Sequence, residues 1–127
     1  MGAHLKIFVY GSLRRGFYNH RLLEKADYLR HSITRAEYRM HSLGGFPSVQ
    51  PGGTTAIIGE IYDVDVLTLL RLDRLEGHPT LYRRTEITMA DGERVSIYIF
   101  NEKVHHSDTA IASGDWAVYS MQKGGRA

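Results

Sequence analysis

The sequence predicts a mixed α+β fold, and three observations carry that reading. A short β-rich run, Leu5-Lys6-Ile7-Phe8-Val9-Tyr10, stops abruptly at Gly11-Ser12, as a buried first strand would. Further on, Val66, Leu69, Leu70, Leu72 and Leu75 recur at three- and four-residue steps, the spacing that lines one face of a helix. Lastly, Tyr82 to Met89 and Arg94 to Phe100 are β-rich runs divided by Asp91-Gly92, a turn-forming pair that predicts a hairpin. Strands and helices alternating in this order fit a mixed architecture. Periodicity does not say whether the sheet closes on itself.

The remaining elements follow in chain order. Asn19 is a candidate N-cap for a short helix through Arg21 to Lys25. Between Tyr28 and Ser42, apolar and β-branched residues alternate loosely with polar ones, which predicts one or two strands. Gly44-Gly45, Pro47, Pro51 and Gly52-Gly53 then mark a long loop. Thr55 to Tyr62 reads as a strand whose Gly59 implies a bend or a close backbone approach. Asp65 is placed to cap the helix that follows, and Gly77 to end it. Trp116 to Met121 is expected to form a last short strand, with residues 122–127 a loose tail. No repeat or linker divides the chain, so residues 1–127 are expected to fold as a single domain.

Composition narrows the function classes. The chain has 127 residues, 43% of them hydrophobic and 24% charged, ordinary values for a globular protein with one core. It has no cysteine, which rules out a disulfide framework, a thiolate metal site and a cysteine nucleophile. Lys plus Arg number 16 against 14 for Asp plus Glu. The basic residues form short pairs such as Arg14-Arg15 and Arg83-Arg84 rather than a clustered face, so nucleic acid is not an expected partner. No apolar run approaches the roughly 18 residues that span a bilayer, and the N-terminus lacks a signal-peptide pattern. A cytoplasmic protein without a membrane partner is the expectation.

Two segments look unlike plain structure. The first is Val9-Tyr10-Gly11-Ser12-Leu13-Arg14-Arg15-Gly16. Glycine directly after a buried strand allows the next backbone N–H groups to gather in a concave turn that binds an anion; an ordinary tight turn is the alternative. Gly11 and Gly16 have the glycine spacing of a phosphate-binding loop, but Phe17 and Tyr18 stand where its Lys and Ser/Thr would be. The second segment is Leu72-Asp73-Arg74-Leu75-Glu76-Gly77-His78-Pro79. Glu76 falls at the C-terminal end of the predicted helix, where the macrodipole disfavours negative charge. If it also faces a pocket, dipole and desolvation both raise its pKa and suit it to proton transfer. Otherwise it is a solvated carboxylate near Arg83 or Arg84. Asp73, one turn earlier, either pairs with Glu76 or binds an arginine.

The seven histidines do not suggest a metal site. His105 and His106 are adjacent and on a strand would face opposite ways, and the others lack ligand spacing. Ser12 lacks the Gly-x-Ser-x-Gly context of a nucleophile elbow.

Taken together, the two segments resemble those of a known family. Val9 to Gly16, followed by Asn19-His20, resembles the N-terminal signature of the γ-glutamyl cyclotransferase-like proteins. Leu72 to Gly77, followed by Leu81-Tyr82-Arg83-Arg84-Thr85, is similar to the segment that holds their catalytic glutamate. The likeness is closest to the γ-glutamylamine cyclotransferase branch, where a basic pair, a glycine and then Asn-His follow the binding loop. It extends from about Leu5 to Phe100 and loosens after Asn101, where Gly114-Asp115-Trp116 still matches.

The resemblance implies a compact mixed β-barrel with flanking helices. It implies a reaction in which the α-amine of a γ-glutamyl group attacks its own side-chain amide. That attack releases 5-oxoproline and a free amine or amino acid, with no cofactor and no metal. It assigns Glu76 as catalytic acid and base and Tyr10, Gly11, Ser12 and Leu13 as the substrate-binding loop. Phe46 and Pro47, in the Gly44-Gly45-Phe46-Pro47 loop, and Tyr82 become pocket walls. The partner is then a small-molecule γ-glutamyl substrate. The competing expectation is a binding module that keeps the fold and the anion-binding loop but turns nothing over.

Overall fold

The computed structural model describes residues 4–105 and 108–124. Eight strands and two α-helices follow one another as β1 (His4–Val9), β2 (Asp27–Ile33), β3 (Tyr38–Ser42), β4 (Pro47–Pro51), β5 (Ile58–Asp65), α1 (Val66–Glu76), β6 (Tyr82–Thr88), β7 (Arg94–Phe100), β8 (Thr109–Ala110) and α2 (Trp116–Gly124), with a 3-10 helix at Tyr18–Leu23. The mixed α+β reading holds. Both His105-His106 as a pair and the last residues of the expected tail involve positions outside the described residues.

Five strands form the main sheet in the order β2-β5-β1-β7-β6, and β4-β3-β8 form a smaller one. β1 lies in the middle, antiparallel to β5 and parallel to β7. Successive β1 residues feed opposite cores. Phe8 and Tyr10 pack with Met40, Val49, Ile61 and Ile97 beneath the smaller sheet. Ile7 and Val9 pack with Tyr62, Val64, Leu72 and Tyr98 beneath α1. A strand buried on both faces needs a continuous apolar run, which explains why Ile7-Phe8-Val9 shows no alternation. Gly59 lies where a Cβ would stand 2.2 Å from the Val9 carbonyl oxygen, so the close approach expected there is real.

The expected barrel does not close. A barrel needs a continuous ladder between its first and last strands. Here the edge strands β2 and β6 meet only near their ends, at a Thr34–Met89 bridge and an Ala90 N–H bond to the Ile33 oxygen. The smaller sheet covers one face of the main sheet instead.

Three local expectations are corrected. The glycine- and proline-rich stretch expected as a long loop contains β4, an edge strand of its sheet, where proline's missing N–H costs no ladder bond. Asn19 does not cap the short helix; the N-cap position is Phe17, which makes no side-chain capping bond. Trp116 to Met121 is helix, not strand, and helix continues to Gly124 in the segment expected as tail. Asp115 accepts a hydrogen bond from the Val118 N–H at 3.2 Å, and such a cap favours helix over the strand propensity of Trp116, Val118 and Tyr119. Periodicity predicted the α1 helix without saying how far it is covered, and its apolar stripe is mostly not core. Leu72 is buried, but Val66, Leu70 and Leu75 are 47%, 57% and 40% exposed.

The ends of α1 match the sequence reading. Asp65 Oδ1 accepts from the Thr68 N–H at 2.8 Å. Gly77, at φ +67°, donates back to the Arg74 and Asp73 carbonyls, and a left-handed residue of this kind ends a helix cleanly.

Candidate active site

Beyond β1 the chain makes a sequence of turns. The Arg14 N–H bonds the Gly11 oxygen at 3.0 Å and the Phe17 N–H bonds the Arg14 oxygen at 3.1 Å. The N–H groups of Gly11, Ser12 and Leu13 find no acceptor among the described residues. Three consecutive unused donors are costly unless water or a ligand satisfies them. A Cβ on Gly11 would stand 3.0 Å from Pro47 Cγ, so glycine lets the loop and the Pro47 segment meet.

A dense set of polar contacts holds this loop. The Glu60 carboxylate accepts from the Arg15 backbone N–H (3.1 Å), the Tyr62 hydroxyl (2.8 Å) and Arg14 Nε (3.3 Å). The Arg14 guanidinium is buried and also donates to Asp115 Oδ1 at 3.0 Å, tying the loop to the start of α2. Asn19 Nδ2 donates to Ser12 Oγ at 2.9 Å, and His20 Nδ1 lies 2.9 Å from the Leu13 oxygen. Asn19 is therefore a brace for the loop rather than a helix cap.

Across from the loop stands the C-terminus of α1. Asp73 does not pair with Glu76. Arg84 grips it with two parallel bonds of 3.0 and 3.1 Å, and the Tyr98 hydroxyl donates to it at 2.7 Å. Burial alone would raise the Asp73 carboxyl, but the bonds from Arg84 and Tyr98 and the nearby positive charge outweigh it and hold it below the usual range. This contact fixes the last turn of α1 to β6 and β7. With Arg84 so engaged, Glu76 is left without a side-chain hydrogen bond or ion pair among the described residues. Burial raises its carboxyl from an ordinary 4.5 to about 7; the carbonyl end of the helix acts in the same direction.

Loop and helix end border one cavity of about 190 Å³. Tyr10, Gly11, Ser12, Leu13, Phe46, Pro47, Glu76 and Tyr82 all line it, so the structure brings together every residue singled out for the site. It adds Tyr98 and Asn19 to the lining. Tyr98 sits inside a strand-forming run and nothing in its local sequence separates it from a core tyrosine. The bracing role of Glu60 is equally invisible, because a lone carboxylate within a strand reads as a solvated position.

The cavity tyrosines are committed as donors. Tyr10 donates to the Tyr98 carbonyl and Tyr82 to the Pro47 carbonyl, both at 2.7 Å, while Tyr98 donates to Asp73. Burial raises all three phenols, with the Glu76 charge adding at each and hydrogen bonding to Asp73 adding at Tyr98. They are walls, whereas burial brings the Glu76 carboxyl up to about 7. Among the described residues no cluster of three His, Asp or Glu side chains is arranged to hold a metal ion, and no helix is long and apolar enough to cross a membrane.

A family model described as gamma-glutamyl cyclotransferase, AIG2-like, matches residues 7–118. The chain is 41% identical to a putative gamma-glutamylcyclotransferase of Vibrio cholerae over 87% of this chain and 93% of that protein. It is 34% identical to the gamma-glutamylaminecyclotransferase of Rattus norvegicus, covering 92% of this chain and 86% of the other. In structure it is similar to an uncharacterized protein of Pyrococcus horikoshii, with a TM-score of 0.80 at 26% identity, over 95% of this chain and 97% of that one.

Proposed function

The chain belongs to the gamma-glutamyl cyclotransferase, AIG2-like family, and from that premise we propose that it cleaves γ-glutamyl amides by internal cyclisation. The substrate's α-amine nitrogen attacks its own δ-carbonyl carbon while the Glu76 carboxylate takes the proton that the nitrogen loses. Glu76 then gives that proton to the departing nitrogen. The carbon–nitrogen bond breaks, and 5-oxoproline and a free amine or amino acid leave. Proton balance is kept by one group, which suits a carboxyl with a pKa of about 7.

The observation that carries the reading is the pairing across one small cavity. An unpartnered carboxyl lies on one side and the unused Gly11, Ser12 and Leu13 amides on the other. Those amides suit the substrate's α-carboxylate, with which they form charge-assisted bonds. Anchoring there leaves the amine and the amide within one confined volume, and such positioning supplies much of the rate in an intramolecular reaction. The committed tyrosines shape the space without competing for the proton.

The direct test is incubation with a panel of γ-glutamyl compounds, including amino-acid conjugates, amine conjugates and the simple γ-glutamyl methylamide, while 5-oxoproline is measured. Release from at least one compound is expected. Binding of γ-glutamyl compounds without release from any of them would make the protein a binding module.

A further inference from the structure

Beside the cavity lies a second, larger hollow of about 590 Å³. Leu22, Leu67 and Leu70 line it together with Arg21, Arg71 and Arg74, with no carboxylate in the lining. Leu67 and Leu70 of α1 are 58% and 57% exposed. Exposed leucines gathered in a concavity mark a binding surface more often than scattered ones do. Arg21 stacks on Tyr18. Neither Arg71 nor Arg74 donates a side-chain hydrogen bond or closes an ion pair with a described residue, and Arg71 merely adds to the field at the exposed Asp65.

The hollow adjoins the cavity, since Asn19 and Leu75 line both. Leu75 is the residue before Glu76. In the reaction proposed above, the departing nitrogen takes its proton from Glu76, which sets whatever is attached to it near the Leu75 boundary between the two hollows. Another hollow shares Ser12 and Gly45 with the cavity, and Trp116 and Tyr119 line it. It borders the loop proposed to hold the α-carboxylate, whereas the departing group is attached at the other end of the γ-glutamyl chain. From Leu67 to Leu75 the first hollow follows α1 for about 12 Å, room for two or three extended residues.

Resting on the cyclotransferase reading, we propose that this hollow is the leaving-group subsite and that Arg71 and Arg74 set its specificity. The favoured leaving group has an apolar body and a carboxylate: an apolar amino acid or a short peptide ending in one. Leucines accept the body, and guanidinium groups pair with carboxylate. A leaving group with a second ammonium meets only positive charge.

The test compares kcat/KM for γ-glutamyl-leucine, for γ-glutamyl-isopentylamide, which lacks only the carboxylate, and for γ-glutamyl-cadaverine, which carries an ammonium instead. The wild type is expected to favour the leucine conjugate over the isopentylamide by about 10-fold, a preference set by partly solvated charge pairing, and to turn over the cadaverine conjugate most slowly. In an Arg71→Gln/Arg74→Gln variant the leucine-to-isopentylamide ratio is expected to fall to within about 2-fold of unity, as loss of that pairing requires. The ratio is internal to each preparation, so a fraction of misfolded variant cancels. A wild-type ratio near unity, or a ratio that survives the double substitution, overturns the assignment while leaving the reaction intact. No 5-oxoproline from any compound, methylamide included, removes the reaction itself and this subsite with it. A stable dimer in sedimentation that Leu70→Arg splits into monomers would make the hollow an interface between copies, and would also overturn the proposal.

Discussion

The loop after β1 and the last turn of α1 face each other across one cavity, yet they are held in opposite ways. The loop is over-determined: Glu60, Arg14, Asn19 and His20 each bond it, and Glu60 alone receives three donors. At the helix end every bond is spent one turn early, on Asp73, and Glu76 is left bare. On the proposed reaction, the difference separates two tasks within one small site. A group that must recognise a fixed charge gains from rigidity, whereas a group that must pick up and release a proton gains from having no fixed partner.

The largest expected effect tests the rigid side. Arg14→Leu strands the buried Glu60 carboxylate and unpairs the part-buried Asp115, and breaking a buried pair in this way costs about 3–5 kcal/mol. Urea unfolding measures it. A loss below about 1 kcal/mol, the range of exposed ion pairs, would mean that the loop does not depend on this clasp and would erase the contrast.

On the bare side, Glu76→Gln is expected to leave a folded protein that still binds substrate while kcat falls by on the order of 100-fold or more. The swap keeps size and polarity and removes only the transferable proton. Near-normal 5-oxoproline release by the variant would end Glu76's proposed role.

The same substitution should also stabilise the protein. The Glu76 carboxyl stands at about 7 folded against an ordinary 4.5, so the folded state holds its proton more tightly. Below pH 4.5 both states are protonated and the group adds no pH dependence. As pH rises from 4.5 to 7 the unfolded chain binds fewer protons, and stability declines until the full penalty is present above 7. For a partly buried group that penalty is at most about 3 kcal/mol. Glu76→Gln is expected to be the more stable protein at pH 8, with the gap closing towards pH 4.5. Equal melting curves at both pH values would mean that the carboxyl is well solvated.

The smallest effect sharpens the recognition side. Replacing the α-carboxylate of a γ-glutamyl ligand by a carboxamide is expected to weaken binding by roughly 1.5–3 kcal/mol, about 10- to 150-fold. Calorimetry on Glu76→Gln, expected to bind without turnover, gives the value. Equal affinities would reduce Gly11 to Leu13 to a turn.

Sequence reasoning succeeded where the chemistry is local. Asp65 and Gly77 mark the ends of α1 through contacts within a few residues, and Asp91-Gly92 does the same for the β6–β7 hairpin, with Gly92 at φ +92°. Pro47 and Pro51 signalled a loop because their effect on a strand depends on whether it lies at an edge, a fact of tertiary structure. In α2, a cap at Asp115 competed with β-rich side chains, and the cap was the better guide. The α1 stripe predicted a helix correctly but not how much of it is covered, since coverage depends on a neighbour distant in sequence. At the site, the loop and Glu76 stood out because each violates a local rule. Glu60 and Tyr98 violate none, and only the fold shows what they hold.

The single Thr34–Met89 bridge between the main sheet's outer strands also bears on behaviour at high concentration. An unclosed sheet keeps two rims of unpaired backbone groups, each a template for another chain. Both rims carry charge: Arg30 on β2, and on β6 Arg83 and Glu86, the latter paired with Arg94 of the neighbouring β7. Such side chains must be desolvated before a foreign strand can dock. The opening that leaves this fold short of a barrel is thus fenced against self-association by residues that take no part in its chemistry, and neutralising them would be felt first as lost solubility rather than lost turnover.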